Sequence, residues 1–383
     1  MLKILCFILS FLLIFSMPVS AETEGEGKND ALSLSAASAV LIDAKSGKVL
    51  YEADADVKSP PASITKVMSL ILIFEAIENG QFSFDTVLTC SETAAALGGS
   101  QIWLEPGETM SVHDLLKAVA VVSANDATVL LAEAVAGSEE SFVALMNEKA
   151  KALGMNNTNF ENSTGLDSEN HYSSAYDVAV MSAELLKHKK ITEYSTIWMD
   201  SLRNGESELV NTNRLVKFYE GCTGLKTGTT SKAGYCLSAS AERDGLSLIA
   251  VVMSAPSSND RFSSAQKLLN FGFANYKNIE IKPDQTEKMY TEVKKGTKKK
   301  VELEAVGNIS ALVKKSVKGE VEMQAVYPET LTAPLKKGSK VGEIVYTLNG
   351  EQLGTIPITL KEDISKLTVF SAFKGLLLSL FTL

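Results

Sequence analysis

The stretch from Pro60 to Gly80 constrains the fold more than any other part of this chain. Pro60-Pro61 keeps the chain out of regular helix up to that point. Ile64, Val67, Met68, Leu70, Ile71, Leu72, Ile73 and Phe74 then place apolar side chains on most faces of a helix that ends near Asn79-Gly80. Such a helix has to be largely buried. Ser63 and Lys66 open it, three residues apart, so they share one face and the amine can reach the hydroxyl. The serine would stand at a helix start, where free N–H groups and the helix dipole favour a developing oxyanion. An activated nucleophile has this form. Taken alone, a Ser-x-x-Lys pair more often describes a capping serine and a solvated lysine.

Two later segments change that balance. Ser123-Ala124-Asn125 follows the apolar stretch Leu115 to Val122, and Lys226-Thr227-Gly228-Thr229-Thr230 follows Gly221-Cys222-Thr223-Gly224-Leu225. Singly, the first reads as the end of a helix and the second as a strand entering a turn. Together and in this order they resemble the Ser-x-x-Lys, Ser-Asp-Asn and Lys-Thr-Gly set of penicillin-binding proteins and class A β-lactamases, with Ala124 in place of the middle aspartate. The chain resembles the low-molecular-mass penicillin-binding proteins, serine-type D-Ala-D-Ala carboxypeptidases. Ser35 to Asp43, the turn Ser46-Gly47, Gly99 to Glu108, Asn162 to Asp167, Ala233 to Cys236 and Arg261 ahead of Leu268 to Phe273 extend the resemblance. It covers most of residues 35–276.

The resemblance implies an α+β fold, a β-lactamase/penicillin-binding-like transpeptidase domain of antiparallel sheet and helices, followed by a small all-β domain. It also implies roles. Ser63 attacks the peptide bond between two terminal D-alanines, Lys66 is the general base, and Ser123 relays a proton toward the leaving amine. Asn125 holds the substrate amide and orients Lys66. The N–H groups of Ser63 and Thr229 form an oxyanion hole. Lys226, Thr227, Gly228, Thr229 and Arg261 bind the substrate, with charge and hydroxyls for its carboxylate; Arg214 matches a family arginine poorly. A lysine amine is a base only when neutral, so burial and the neighbouring Lys226 have to lower its pKa. Water releases the acyl group, and β-lactams are expected to acylate the same serine and leave slowly. Two alternatives stay open. A β-lactamase would need a water-activating carboxylate, and no Glu-x-x-Leu-Asn segment supplies one. A wall-binding scaffold with incidental catalysis would not depend on Ser63.

Export and organisation follow from composition. Lys3, the apolar run Ile4 to Phe15 and Val19-Ser20-Ala21 read as a signal peptide over residues 1–21, and a polar leader spans 22–34. The carboxypeptidase domain is expected over 35–276, closed by a helix from about Ser263 to Tyr276. Strand patterns at both of its ends, Ala36 to Leu50 early and Leu237 to Ala241 and Leu246 to Met253 late, can meet in one antiparallel sheet. Residues 277–361 read as a β domain. Val301 to Val306 and Val321 to Val326 alternate as half-buried strands do, and Asn349-Gly350 marks a hairpin. Residues 280–361 carry 14 Lys and no Arg against 11 Asp and Glu. The tail from Ile364 to Leu383 is apolar, with only Lys366 and Lys374 charged, suits an interfacial helix better than a span, and makes 362–383 an expected amphipathic anchor on the membrane surface. The expected location is the extracytoplasmic face of a bacterial membrane or wall, with peptidoglycan stem peptides and β-lactams as ligands.

Other classes fit poorly. Three histidines without His-Glu-x-x-His argue against a zinc peptidase, and His113, His171 and His188 read as surface or packing residues. Cys90, Cys222 and Cys236 match no metal pattern and are expected free and buried. No cofactor is called for. A net charge of −9 disfavours a nucleic-acid partner.

Overall fold

Five antiparallel strands form the centre of the first domain, in the order Val49–Ala53, Ser38–Asp43, Leu246–Ala255, Gly234–Arg243, Cys222–Thr230. The computed structural model describes residues 32–284 and 288–369; the expected signal, nearly all of the leader, and the tail from Phe370 onward lie outside them. Both domains belong to the unit that starts at Leu34. The register Ser38↔Met253 to Asp43↔Leu248 joins the beginning of the domain to its end, as the two sets of strand patterns implied. Leu246 to Met253 are buried without a break, which is why this strand reads as a continuous apolar run rather than an alternation.

Helices cover both faces of the sheet. Ser258–Asn275 packs so closely that a Cβ at Gly272 would lie 2.4 Å from Leu248 Cδ1. On the other face Ala175–Leu185 brings Ser182 Oγ to 2.7 Å from Ser238 Oγ. The Ser257 side chain accepts from Asp260 N–H and starts the first of these helices at Ser258, ahead of the expected Ser263. Beyond Ala175–Leu185 lies the helix Lys66–Glu78, buried from Lys66 through Phe74. Val112–Val121, Asn125–Ala136 and Glu139–Ala152 complete a single apolar core around it. Each large side chain buried there contributes roughly 1.5–3 kcal/mol, and this burial holds the start of Lys66–Glu78 against the sheet.

The second domain is all β. Tyr276–Ile281 pairs with Ile309–Lys314, and six further strands form one sheet in which Lys340–Leu348 and Glu351–Leu360 are joined through Asn349-Gly350. Both turn residues have positive φ, 52° and 83°, as a two-residue hairpin of this twist requires. Val301, Leu303, Ile344, Ile356, Ile358 and Leu360 supply its core. Val321–Val326 departs from expectation: it is exposed along its whole length, because it closes one edge of the sheet and nothing described packs on it. The domain also outruns its expected end at 361, since Ile364 is buried and pairs with Leu335, and Lys366 pairs with Gly296. Among the described residues no helix is long and apolar enough to cross a membrane. The three described cysteines are free. Cys90 and Cys236 are buried, Cys222 is only half-buried, and the register sets Cys222 opposite Ala241 and Cys236 opposite Gly228.

Candidate active site

Pro61 ends the extended approach, Ala62 takes a positive φ of 50°, and Ala62–Thr65 then forms one 3-10 turn that runs into Lys66–Glu78. Ser63 stands on this turn rather than on the α-helix proper, and Lys66 is the first α-helical residue. A non-glycine residue at positive φ costs on the order of 1 kcal/mol, and the fixed surroundings hold it there. Those surroundings are tight: a Cβ on Gly165 would lie 1.8 Å from the Ala62 carbonyl oxygen, and one on Gly228 2.8 Å from the Pro61 oxygen and 3.0 Å from Ser63 N. Only glycines let the 162–167 loop and the Cys222–Thr230 strand approach the serine backbone this closely.

Lys66 is completely buried. Its Nζ lies 3.0 Å from Ser63 Oγ and donates to Asn125 Oδ1 at 2.6 Å and to the Thr164 carbonyl at 2.7 Å. Two of the three neighbours only accept. A neutral amine has two N–H bonds and one lone pair, so the lone pair is left for the serine hydroxyl. Burial is the main cause that holds Lys66 well below the ordinary lysine pKa; the charge of Lys226 acts in the same direction and Asp126 opposes it.

Ser123-Ala124-Asn125 joins two helices, Val112–Val121 and Asn125–Ala136. Ser123 is forced to φ 67°, is buried, and its Oγ has no hydrogen-bond partner among the described residues. Asn125 Oδ1 takes the lysine while its Nδ2 donates to the Gly98 carbonyl at 2.7 Å, so the amide is fixed and orients Lys66. Its expected contact with substrate has to compete with Gly98.

The Cys222–Thr230 strand closes one edge of the sheet, and its alternation sorts its side chains. Lys226 and Gly228 share the face toward Ser63, while Thr227 and Thr229 share the other. Lys226 is buried and lowered to about 7, first by desolvation and then by Arg261. Thr227 Oγ1 donates to Thr212 Oγ1 at 2.7 Å. Thr229 is exposed and accepts from Arg261 Nη1 at 2.9 Å; the same nitrogen reaches the Gly228 carbonyl at 3.1 Å. Arg214 stands apart, stacked on Phe262 and donating to Asn259.

Several supporting groups were not expected. Asp126, buried, accepts from Ile102 N–H and Leu104 N–H and ties the loop ahead of the Asn125 helix to it. A lone acid beside Thr128 to Ala132 was the available signal. Asn162 Oδ1 gathers the N–H groups of Thr164, Gly165 and Leu166 and so fixes the carbonyl that Lys66 uses. His171 is buried against Phe160, as a packing residue would be, and it also joins two segments. Its Nδ1 accepts from Glu161 N–H at 3.0 Å, which puts the ring proton on Nε2, 2.8 Å from Thr65 Oγ1 in the turn of the nucleophile. Burial lowers its pKa to about 4. Nothing in the sequence around His171 announces this.

Geometry of this kind defines a class of serine acyl-transfer enzymes in which a buried lysine, rather than a histidine, meets the hydroxyl. Residues 24–257 match the peptidase S11 family, D-alanyl-D-alanine carboxypeptidase, and residues 276–366 match the C-terminal domain of penicillin-binding protein 5. The D-alanyl-D-alanine carboxypeptidase DacF of Bacillus subtilis is 42% identical over 375 residues, covering 96% of this chain and 95% of that one. A structure of penicillin-binding protein 5 from Haemophilus influenzae superposes with a TM-score of 0.74 at 32% identity, over 87% of this chain and 98% of the other. Penicillin-binding protein D2 of Listeria monocytogenes, solved in its ampicillin-bound form, gives 0.58 at 34% identity over 63% and 98%. The chain belongs to the D-alanyl-D-alanine carboxypeptidase family of serine-type hydrolases.

Proposed function

We propose that the chain removes the terminal D-alanine from peptidoglycan stem pentapeptides through an acyl-enzyme on Ser63. The observation that carries this reading is the buried Lys66 Nζ, 3.0 Å from Ser63 Oγ and held on two sides by carbonyl oxygens. Neutral Lys66 takes the Ser63 proton as Oγ adds to the carbonyl carbon between the two D-alanines. The N–H groups of Ser63 and Thr229 receive the developing oxyanion; the fit of Gly228 against Ser63 N supports this placement. The proton passes through Ser123 to the leaving nitrogen, the C–N bond breaks, and D-alanine departs. Lys66 then activates the water that cleaves the ester.

Substrate binding follows from the sheet edge. An extended peptide can add beside Cys222–Thr230 as a further strand. Its carboxylate then meets Thr227, Thr229, Lys226 and Arg261, and Gly228 leaves room for the backbone. β-Lactams present the same carboxylate and amide, so Ser63 is their site of acylation. In the 161–170 region Glu161 accepts from Asn170 N–H and Asp167 accepts from Thr230 Oγ1, while Glu139 holds Ser163. Among the described residues no carboxylate hydrogen-bonds Lys66 Nζ or Ser63 Oγ, which supports slow release of the penicilloyl group over rapid turnover. The enzyme acts on the outer face of the cytoplasmic membrane, and the tail beyond Val369, with Lys374 as its one charged residue, lies on that membrane. Incubation with a pentapeptide ending in D-Ala-D-Ala tests the reaction. Free D-alanine is expected from the unaltered chain, and loss of at least a thousandfold in rate from Ser63→Ala and Lys66→Ala. Near-normal release by Lys66→Ala would remove the assigned base.

A further inference from the structure

The β domain carries a cluster of positive charge at a defined place. Residues 294–300 read Lys-Lys-Gly-Thr-Lys-Lys-Lys, and all five lysines are exposed. They belong to the turn between Met289–Lys294 and Lys300–Ala305. The last described segment is fastened onto this turn: Thr297 N–H donates to the Ser365 carbonyl at 2.9 Å, Leu367 N–H donates to the Lys295 carbonyl at 2.7 Å, and Gly296 pairs with Lys366. A second loop arrives at the same place. Leu335 pairs with Ile364, which puts the exposed Lys336 and Lys337 beside it.

Little neutralises these charges. Glu362 takes Lys298, and the Asp363 carboxylate accepts Lys337 N–H at 2.7 Å. The other four lysines of the turn, with Lys336 and Lys337, form no ion pair among the described residues. The two lysine loops therefore bracket the segment from which the chain passes into Phe370 to Leu383, fourteen residues with a single charge. A solvated face would scatter its lysines among acids. Here they are gathered where an apolar tail leaves the domain.

We propose that this end of the β domain is a contact surface for anionic phospholipid headgroups, which the 294–300 and 336–337 lysines engage while the tail enters the apolar layer. It deepens the membrane placement proposed above and shares with it only the reading of the tail. Charges on such a surface add roughly fivefold each to partitioning onto an anionic bilayer at low salt, and the gain falls as salt screens it.

The test is sedimentation of the full chain with vesicles of phosphatidylcholine alone and of phosphatidylcholine with phosphatidylglycerol. The unaltered chain is expected to bind the anionic vesicles at least tenfold more tightly at low salt and to lose that preference in high salt. A variant with Lys294, Lys295, Lys299 and Lys300 changed to Gln should lose at least tenfold on anionic vesicles, with no change on neutral ones or in D-alanine release; the same four changed to Arg should bind as the unaltered chain. Equal binding by the Gln variant, or no anionic preference at all, would overturn the proposal. Displacement of the chain from anionic vesicles by an equal phosphate concentration of soluble glycerol-phosphate polymer would overturn it too, and make the polymer the partner. The tail is read separately: Leu377→Asp should abolish binding to neutral vesicles, and if it does not, the anchor is wrong while the lysine surface stands on its own arm.

Discussion

Lysine is used in opposite ways in the two domains. Lys66 and Lys226 are 0% and 2% exposed and form no ion pair among the described residues, so desolvation works against their charge. Lys294 to Lys300 stand in water with five ammonium groups over seven residues, where holding the charge costs little and neighbouring charges sum into a field. One environment turns an ammonium into a base; the other keeps it an ammonium. The difference lies in the packing, since the side chain is the same. Around Lys66 the helix core, two carbonyls and a second buried lysine act together, whereas the β-domain lysines stand in solvent with Glu362 paired to one of them.

That comparison can be broken most severely at the packing. Gly165→Ala would set a Cβ 1.8 Å from the Ala62 oxygen and impose a left-handed φ of 85° on alanine. Displacement of the nucleophile turn is expected to reduce β-lactam acylation at least about a hundredfold, with a loss of at least about 2 kcal/mol in denaturant unfolding. Lys226→Ala comes next. It removes a positive charge from the proposed carboxylate site and one cause of the lowered Lys66 pKa, so kcat/KM for D-Ala-D-Ala peptides should fall about a hundredfold or more, with the acid limb of the acylation profile moved to higher pH. An acid limb that stayed in place would mean that burial alone sets the state of Lys66.

His171 sharpens the comparison through stability. Its folded pKa of about 4 lies under the ordinary value of 6.5. The unfolded chain therefore binds the extra proton first as pH falls. The contribution is complete above 6.5, is lost progressively toward 4, and amounts to about 3 kcal/mol at most. Unfolding of the unaltered chain should weaken over this window, and His171→Asn should show a flatter profile. The smallest effect is expected at the exposed lysines: Lys294→Gln or Lys300→Gln should leave D-alanine release unchanged and unfolding within about 0.5 kcal/mol.

Much of the catalytic domain was legible in the sequence because its chemistry requires particular residues at particular spacings. Ser63 and Lys66 share a helical turn, Ser123-Ala124-Asn125 ends one helix and opens another, and Lys226 to Thr229 lie on a strand that alternates between two faces. The joining of Ser38–Asp43 to Leu246–Ala255 was likewise expected from strand patterns at both ends. What could not be read arises from contacts between segments far apart in sequence. The Thr164 carbonyl has no side-chain signature, His171 reaches Thr65 across 106 residues, and the aim of Asn125 Nδ2 at Gly98 depends on a loop conformation. In the β domain, periodicity gave the strands and the Asn349-Gly350 hairpin. It misjudged Val321–Val326, because alternation shows that a strand has an apolar face and not that anything covers it.

The central claim is that Lys66 is neutral when Ser63 is attacked. The rate of Ser63 acylation by a β-lactam, followed by intact mass against pH, tests it most directly. The account predicts a plateau reached well below the ordinary lysine range, with a decline only on the acid side, as Lys66 gains a proton. A rate that keeps climbing up to the ordinary lysine value of 10.5, or a penicilloyl group found on any residue but Ser63, would contradict it.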